Sequence, residues 1–337
     1  MDQSVLDIID RMKEKALKDE RQDREDVLRM LSLDPTSEEC RYLGSAAKDV
    51  AIQSNGGKAR IGISIGLDFA SCPMNCAFCS LGEKWGLVKD PYVLPVDMAV
   101  SIVEKYVQQG YSQFALRTTE MFDSELLASY ARAIRAKVKG RYAIGANTGE
   151  QTYESARNLK EAGVNSVYHT VRLREGIDTG LTIEERLESI RNSKKAGLFV
   201  SCGLEPIGPE HSNEELADLL ELYRETIDPV AVCTMKRVAV EGTPKYPLGE
   251  ISKERHLQLI AVVRMVMGKR AAVPMHPITE EGLDWGSNHM TVEIGANPRD
   301  SDMKNIKWMP FPPERAKEIL ISKGFKFGSV DDSKIRV

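Results

Sequence analysis

The chain has 337 residues, of which 42% are hydrophobic and 28% charged, with a formal charge of −4 and a pI near 5.9. That balance describes an ordinary globular protein and gives no basic surface for nucleic acid or an anionic membrane; an aromatic content of 6% offers few base-stacking platforms. The length suits one closed α/β barrel of about 250 residues with additions at its ends.

Residues 1–26 are densely charged and lack the apolar segment of a signal peptide. The most apolar helical stretch, 257–267, is interrupted by Arg264 and is too short to span a bilayer. A cytoplasmic location is therefore expected. In a reducing compartment, six cysteines with a tight cluster point to metal rather than to a disulfide framework.

Helical patterns cover 3–18, 24–33 and 37–53. Asp34-Pro35-Thr36 separates the last two, with Thr36 or Ser37 as a cap, and Asn55-Gly56-Gly57 ends the region. Strand-like runs follow at 60–69, 114–118, 142–147, 166–171, 198–204, 230–235, 271–275 and 290–294. Amphipathic helical patterns at 96–109, 124–138, 183–196, 213–226 and 253–267 lie between them, several closed by glycine (Gly110, Gly163, Gly197). This alternation predicts an α/β fold, a (β/α)8 barrel of the triosephosphate-isomerase type. The expected division is a helical extension at 1–55, the barrel at 56–310, and a C-terminal helix and tail at 311–337 packed on it.

In such barrels functional groups sit at the C-terminal ends of the strands. That rule selects Cys72, Cys76 and Cys79, then Arg117 to Glu120, Asn147, His169 to Arg172, Cys202 to Glu205, Cys233 to Arg237, and His276. The three cysteines read Cys-x3-Cys-x2-Cys just after the first strand. Thiolates at this spacing can hold a 4Fe–4S cubane and leave its fourth iron without a protein ligand. Such an iron can take the amino and carboxylate groups of S-adenosylmethionine. An electron from the cluster then breaks the C5′–S bond and gives a 5′-deoxyadenosyl radical. A zinc knuckle is the competing reading, but it wants four protein ligands, and the loop holds no fourth Cys or His.

With Phe78 before its last cysteine, the motif resembles that of the radical S-adenosylmethionine (SAM) enzymes. Over nearly its whole length the chain resembles the branch containing biotin synthase, the iron-only hydrogenase maturase and methylornithine synthase. The resemblance is carried further by Leu28-Arg29-Met30-Leu31-Ser32-Leu33, Glu241-Gly242-Thr243-Pro244, Ile260-Ala261-Val262-Val263-Arg264-Met265 and Ile294-Gly295-Ala296-Asn297. It implies that Phe78 packs near the adenine and that Glu120 receives the methionine amino group. Arg186 would pair with the methionine carboxylate, whose geometry suits a guanidinium fork. Asn147 and Glu205 are expected among the other cofactor contacts. A small-molecule substrate and an external electron donor such as ferredoxin or flavodoxin are implied as partners, with no nucleic acid and no membrane.

The chain also departs from the branch. Arg172 stands where an acidic residue commonly binds ribose, with Glu175 as the nearest substitute. Ser201-Cys202-Gly203-Leu204-Glu205-Pro206 replaces the maturase's Gly-rich segment. Ala115 and Gly145 fall where biotin synthase has cysteines of its additional cluster, so biotin synthesis is not expected.

On the substrate side the candidate catalytic groups are His169, His276, Cys202 and Cys233. Packing is the bland reading of each, since free Cys and lone strand His are commonly core residues. In the sharper reading His276 touches substrate, and Cys202 and Cys233, with Cys40, hold a second cluster or act as thiols. Arg237 or Arg117 would receive a substrate carboxylate. The expected function is hydrogen abstraction from a small polar molecule in cofactor or amino-acid biosynthesis, hydrogenase-maturase-like or methylornithine-synthase-like. The alternative is sulfur insertion of the biotin or lipoyl type from a second iron–sulfur cluster. A non-catalytic iron–sulfur scaffold leaves Glu120, Arg186 and the barrel without a use.

Overall fold

The computed structural model describes residues 1–300, 309 and 311–328. Helices α1 (Gln3–Lys18), α2 (Arg24–Leu31) and α3 (Glu38–Gln53) come first. Asp2 and Ser37 cap α1 and α3 through side-chain oxygens that accept from the N–H groups of Ser4 and Cys40. The barrel opens with β1 (Lys58–Gly66), and a short antiparallel pair, β2 (Asp68–Phe69) and β3 (Tyr92–Val93), brackets the cysteine loop. Then α4 (Val96–Gln108), β4 (Gln113–Arg117), α5 (Ser124–Lys137), β5 (Ala143–Asn147), α6 (Tyr153–Glu161) and β6 (Ser166–Tyr168) follow. The second half runs α7 (Ile183–Lys195), β7 (Phe199–Ile207), α8 (Asn213–Leu222), β8 (Ala231–Lys236), α9 (Lys253–Met267), β9 (Pro274–His276) and β10 (His289–Gly295). After it come α10 (Pro313–Ser322) and β11 (Lys326–Phe327).

All pairs around the barrel are parallel, and β10 closes on β1 from Arg60↔His289 to Gly66↔Gly295. The fold is thus the closed (β/α)8 type that the alternation predicts. β11 adds to the start of β1 at Lys58 and Ala59; the expected tail beyond residue 328 lies outside the described residues. The expected first strand, 60–69, divides at Leu67. There the chain turns away from β1, and the Asp68 carboxylate accepts from Thr119 N (2.8 Å) and Oγ1 (2.5 Å), anchoring the start of the cysteine loop to the end of β4. The helix expected over 213–226 ends as a π turn, Tyr223–Ile227. That turn buries Tyr223, whose hydroxyl donates to Val171 O (2.6 Å) or Gly203 O (2.7 Å).

Strand alternation sorts the residues into two environments. Ile61, Ile63, Ile65, Leu116, Ile144, Val200, Val232 and Val292 face the helices and build the apolar core. The opposite face carries Gly62, Ser64, Ala115, Gly145, Ser166, Ser201, Ala231 and Thr291, which line a cavity of about 360 Å³. Barrels of this type usually fill that space with branched side chains.

The N-terminal helices are fastened to the barrel through α9. Gln258 Nε2 donates to Met30 O (2.8 Å) and Leu33 O (3.0 Å), and Gln22 Nε2 to Met12 O (2.9 Å) and Met265 O (3.0 Å). Among the described residues, no helix is long and apolar enough to cross a membrane.

Arg264, which interrupts the apolar pattern of α9, is fully buried. Its guanidinium donates to Gly286 O (2.8 Å), Gly268 O (2.8 Å), Ala271 O (2.9 Å) and Asn288 Oδ1 (2.7 Å). It thereby ties the end of α9 to the segments entering β9 and β10. Arg264→Met should leave these buried acceptors unpaired and cost roughly 3–5 kcal/mol. Chemical denaturation monitored by circular dichroism checks this; an unchanged midpoint would show that the carbonyls find other donors.

Candidate active site

The cysteine loop is pinned at both ends and in the middle. Cys72 N donates to Leu81 O (2.7 Å) and Glu83 N to Cys72 O (3.0 Å), closing the loop on itself. Ala77 N donates to Asp178 O (2.8 Å), and Lys245 N to Ala77 O (3.0 Å), so segments after β6 and β8 hold its centre. Asn75 adopts positive φ (49°), which Asn tolerates better than most residues.

Cys72, Cys76 and Cys79 are free thiols lining one cavity. Burial pushes all three thiols up, Cys79 to about 12. Backbone N–H groups of Met74 and Glu120 at Cys72, and Arg172 and Arg186 near Cys76, favour the thiolate. The loop supplies three thiols and no fourth Cys or His, a donor set that suits a cubane with one open iron better than a four-ligand zinc site. Asp178, Glu210 and His211 do approach one another. Lys245 lies 2.7 Å from Asp178 and 3.4 Å from Glu210, and Arg237 pairs with Glu210, so side-chain cations already meet that charge.

Opposite the loop, Arg186 rises from the first turn of α7, whose start is set by the Thr182–Glu185 capping box. It pairs with Glu150, lies 3.8 Å from Glu120 Oε2, and has Nε 3.4 Å from Glu175 Oε2 without hydrogen-bond geometry. Glu120 Oε1 accepts from Glu150 N (2.8 Å). Burial raises the Glu120 pKa against the pull of Arg186 and Arg172. Among the described residues, Arg186 Nε and Glu150 Oε2 are buried without a hydrogen-bond partner. Arg186 and Glu120 both line the cavity, and a guanidinium beside a carboxylate suits the carboxylate and ammonium of an α-amino acid, the methionine end of SAM. Phe78 and Asn147 line the same cavity.

Glu175 and His169 differ in what they present to the cavity. Glu175 is not among the lining residues; its carboxylate accepts from Arg172 N (2.7 Å) and Thr179 Oγ1, so it braces the loop after β6 instead of offering itself to ribose. His169 has Nε2 3.3 Å from Ser189 Oγ and Nδ1 3.9 Å from Glu150 Oε1. Burial lowers it to about 4, and the residue lines the cavity.

Around the barrel from there, Arg172 Nε meets Glu205 Oε1 at 3.1 Å and Tyr168 donates to Glu205 Oε2 at 2.6 Å. A side chain at Gly203 would collide with that Tyr168 hydroxyl. Glu293 accepts from Arg117 Nη1 (2.8 Å), His276 Nε2 (3.0 Å) and Arg299. Burial alone would raise the Glu293 pKa, but His276, Arg299 and Arg117 hold it well below the usual carboxylate range. His276 lines the cavity, with Nδ1 unpartnered among the described residues. Arg237 is tied to Glu210 and to Gly249 O (2.8 Å).

The two strand cysteines differ in aspect. Register pairs Gly203 with Cys233 and Cys202 with Val232, so the cysteine side chains leave the sheet on opposite faces. Cys233 is aligned with the inward layer. Cys202, fully buried, packs with the apolar core, donates Sγ–H to His169 O (3.2 Å) and still borders the cavity, whereas Cys40 lies buried in α3 outside it. The three do not converge on a common centre. Sequence reasoning missed Glu150, Tyr168, Glu293 and Arg299; only Glu293 carried a readable signal, the polar alternation His289, Thr291, Glu293 along β10.

The radical SAM superfamily model matches residues 68–223, from the start of the cysteine loop to the end of α8. That stretch is a radical SAM domain, and enzymes with this domain use a 4Fe–4S cluster and SAM. It is 26% identical over 271 residues to the biotin synthase of Streptomyces avermitilis, covering 77% of this chain and 68% of that one. The biotin synthase of Buchnera aphidicola subsp. Acyrthosiphon pisum is 23% identical over 303 residues, covering 82% and 86%. In fold the chain is similar to a methylornithine synthase (TM-score 0.79, 18% identity, 94% of this chain and 97% of that one). The FeFe-hydrogenase maturase HydG from Carboxydothermus hydrogenoformans is similar too, with TM-score 0.72, 16% identity, and 94% and 78% covered.

Arg186→Lys keeps the charge and loses the planar fork. SAM affinity of the iron-reconstituted protein, measured by isothermal titration, should fall by roughly 1–3 kcal/mol. An unchanged affinity would make Arg186 a purely structural ion-pair residue.

Proposed function

We propose that the chain encloses a small, polar, carboxylate-bearing substrate within its barrel and removes a hydrogen atom from it. The reaction would be a skeletal rearrangement or bond cleavage in cofactor or amino-acid biosynthesis. The observation that carries this reading is the cavity itself: cysteine loop and Arg186 cluster at its mouth, small residues below, and a charged ring of Arg117, His276, Glu293 and Arg299 between. With cluster and SAM bound, reductive cleavage of the sulfonium supplies the 5′-deoxyadenosyl radical as hydrogen acceptor.

The protein's part is placement. Arg117 and Arg299 flank Glu293 and present the cationic side to a substrate carboxylate. Burial and Arg299 keep the His276 pKa below its ordinary value. The neutral ring then gives Nε2–H to Glu293 and leaves Nδ1 as an acceptor for a substrate N–H or O–H. Fixing the substrate at two polar points orients one C–H bond toward the mouth.

Sulfur insertion would ask for a second cluster, and the placement of Cys40, Cys202 and Cys233 does not favour one. Iron analysis of anaerobically reconstituted protein should give about four irons per chain rather than about eight. Cys72→Ala, Cys76→Ala and Cys79→Ala should each lose the brown chromophore and dithionite-dependent formation of 5′-deoxyadenosine. Wild-type amounts of that product from any of the three would sink the reading.

A further inference from the structure

The lower part of the cavity has no role in the chemistry above. Its floor is made by Gln113 at the start of β4 and His289 at the start of β10, beside Gly62 of β1 and Pro274 of β9. A Cβ on Gly62 would lie 2.6 Å from His289 Nε2, so the imidazole occupies space that a residue on β1 would fill. Among the described residues, neither ring nitrogen of His289, nor Gln113 Nε2, has a hydrogen-bond partner, although all three are buried. Buried polar groups are nearly always paired in folded proteins, and unpaired ones ask for an explanation. A barrel built only for packing would carry branched apolar residues here.

No charged side chain lines the floor itself. Burial, aided by Arg60, lowers His289 to about 3, so its ring offers one donor and one acceptor. Arg60 itself does not line the cavity. The charged ring begins higher, at Glu293, four residues along β10 from His289. That is about 13 Å of strand and about 10 Å along the barrel axis after tilt.

We infer that His289 and Gln113 form a binding subsite for the uncharged, hydrogen-bonding end of an elongated substrate, an amide or alcohol about 10 Å from the carboxylate. This rests on the carboxylate end proposed above and adds the other end and the length. A second carboxylate or an ammonium would reach a floor without a lining counter-charge, and a plain alkyl end would leave the three polar atoms unpaired.

The test is a binding measurement without turnover, so it is separate from the 5′-deoxyadenosine assay. Suberamic acid, which joins a carboxylate to a primary amide over about the required span, is titrated into reconstituted protein with SAM present, beside suberate and octanoate. Suberamic acid should bind about tenfold more tightly than either control. His289→Leu should abolish that preference, with iron content and melting temperature recorded on the same sample. If His289→Leu has lost fold or cluster, Gln113→Leu takes its place. Equal binding of the three probes, binding of none, or an undiminished preference in a folded variant overturns the subsite.

Discussion

A buried guanidinium needs counter-charges, and Arg186, 3% exposed, has them in Glu120, Glu150 and Glu175. Those carboxylates come from the segments that follow β4, β5 and β6, so one side chain at the start of α7 draws three strand ends together. Glu175 passes the constraint to Arg172 through its backbone N–H, and Arg172 passes it to Glu205 and Tyr168. The cofactor wall is thus one charge network. Arg172 and Arg186 also pull Cys76 toward its thiolate form, although burial leaves its pKa raised.

The same economy shapes the interior. Glycine, serine and alanine on the inner face leave volume where barrels are ordinarily solid. The apolar residues that stabilise the fold are displaced to the face toward the helices, and α9, buried on nearly every side, fastens the N-terminal helices there. Stability is built outside the sheet and recognition inside it. Tyr168 reaches Glu205 only because Gly203 leaves room, one case where a missing side chain decides where a charged one is held.

Much of this was legible in the chain. Alternating strand and helix patterns locate all eight barrel strands, because burial on one face per strand and the glycines after helices are local signals. The cysteine spacing and the positions of Glu120 and Arg186 rest on short segments as well. What escaped depends on register or on loops. Cys202 and Cys233 look equivalent in sequence, yet a one-residue offset in β7–β8 pairing sends them to opposite faces. Glu150 sits in a loop with no periodicity, and its partnership with Arg186 spans 36 positions. Glu175 was read as a ligand group because its neighbours Thr179 and Arg172 N, which occupy it, are brought together only by the turn after β6.

The central claim is that three thiolates leave one iron open and that the Arg186 wall delivers the amino-acid end of SAM to it. Electron paramagnetic resonance of the dithionite-reduced, iron-reconstituted protein tests this most directly. The account predicts the signal of a single reduced 4Fe–4S cluster whose g-values shift when SAM is added. A spectrum unchanged at a SAM concentration that titration shows to be saturating would contradict it, because the nucleotide would then be bound away from the iron.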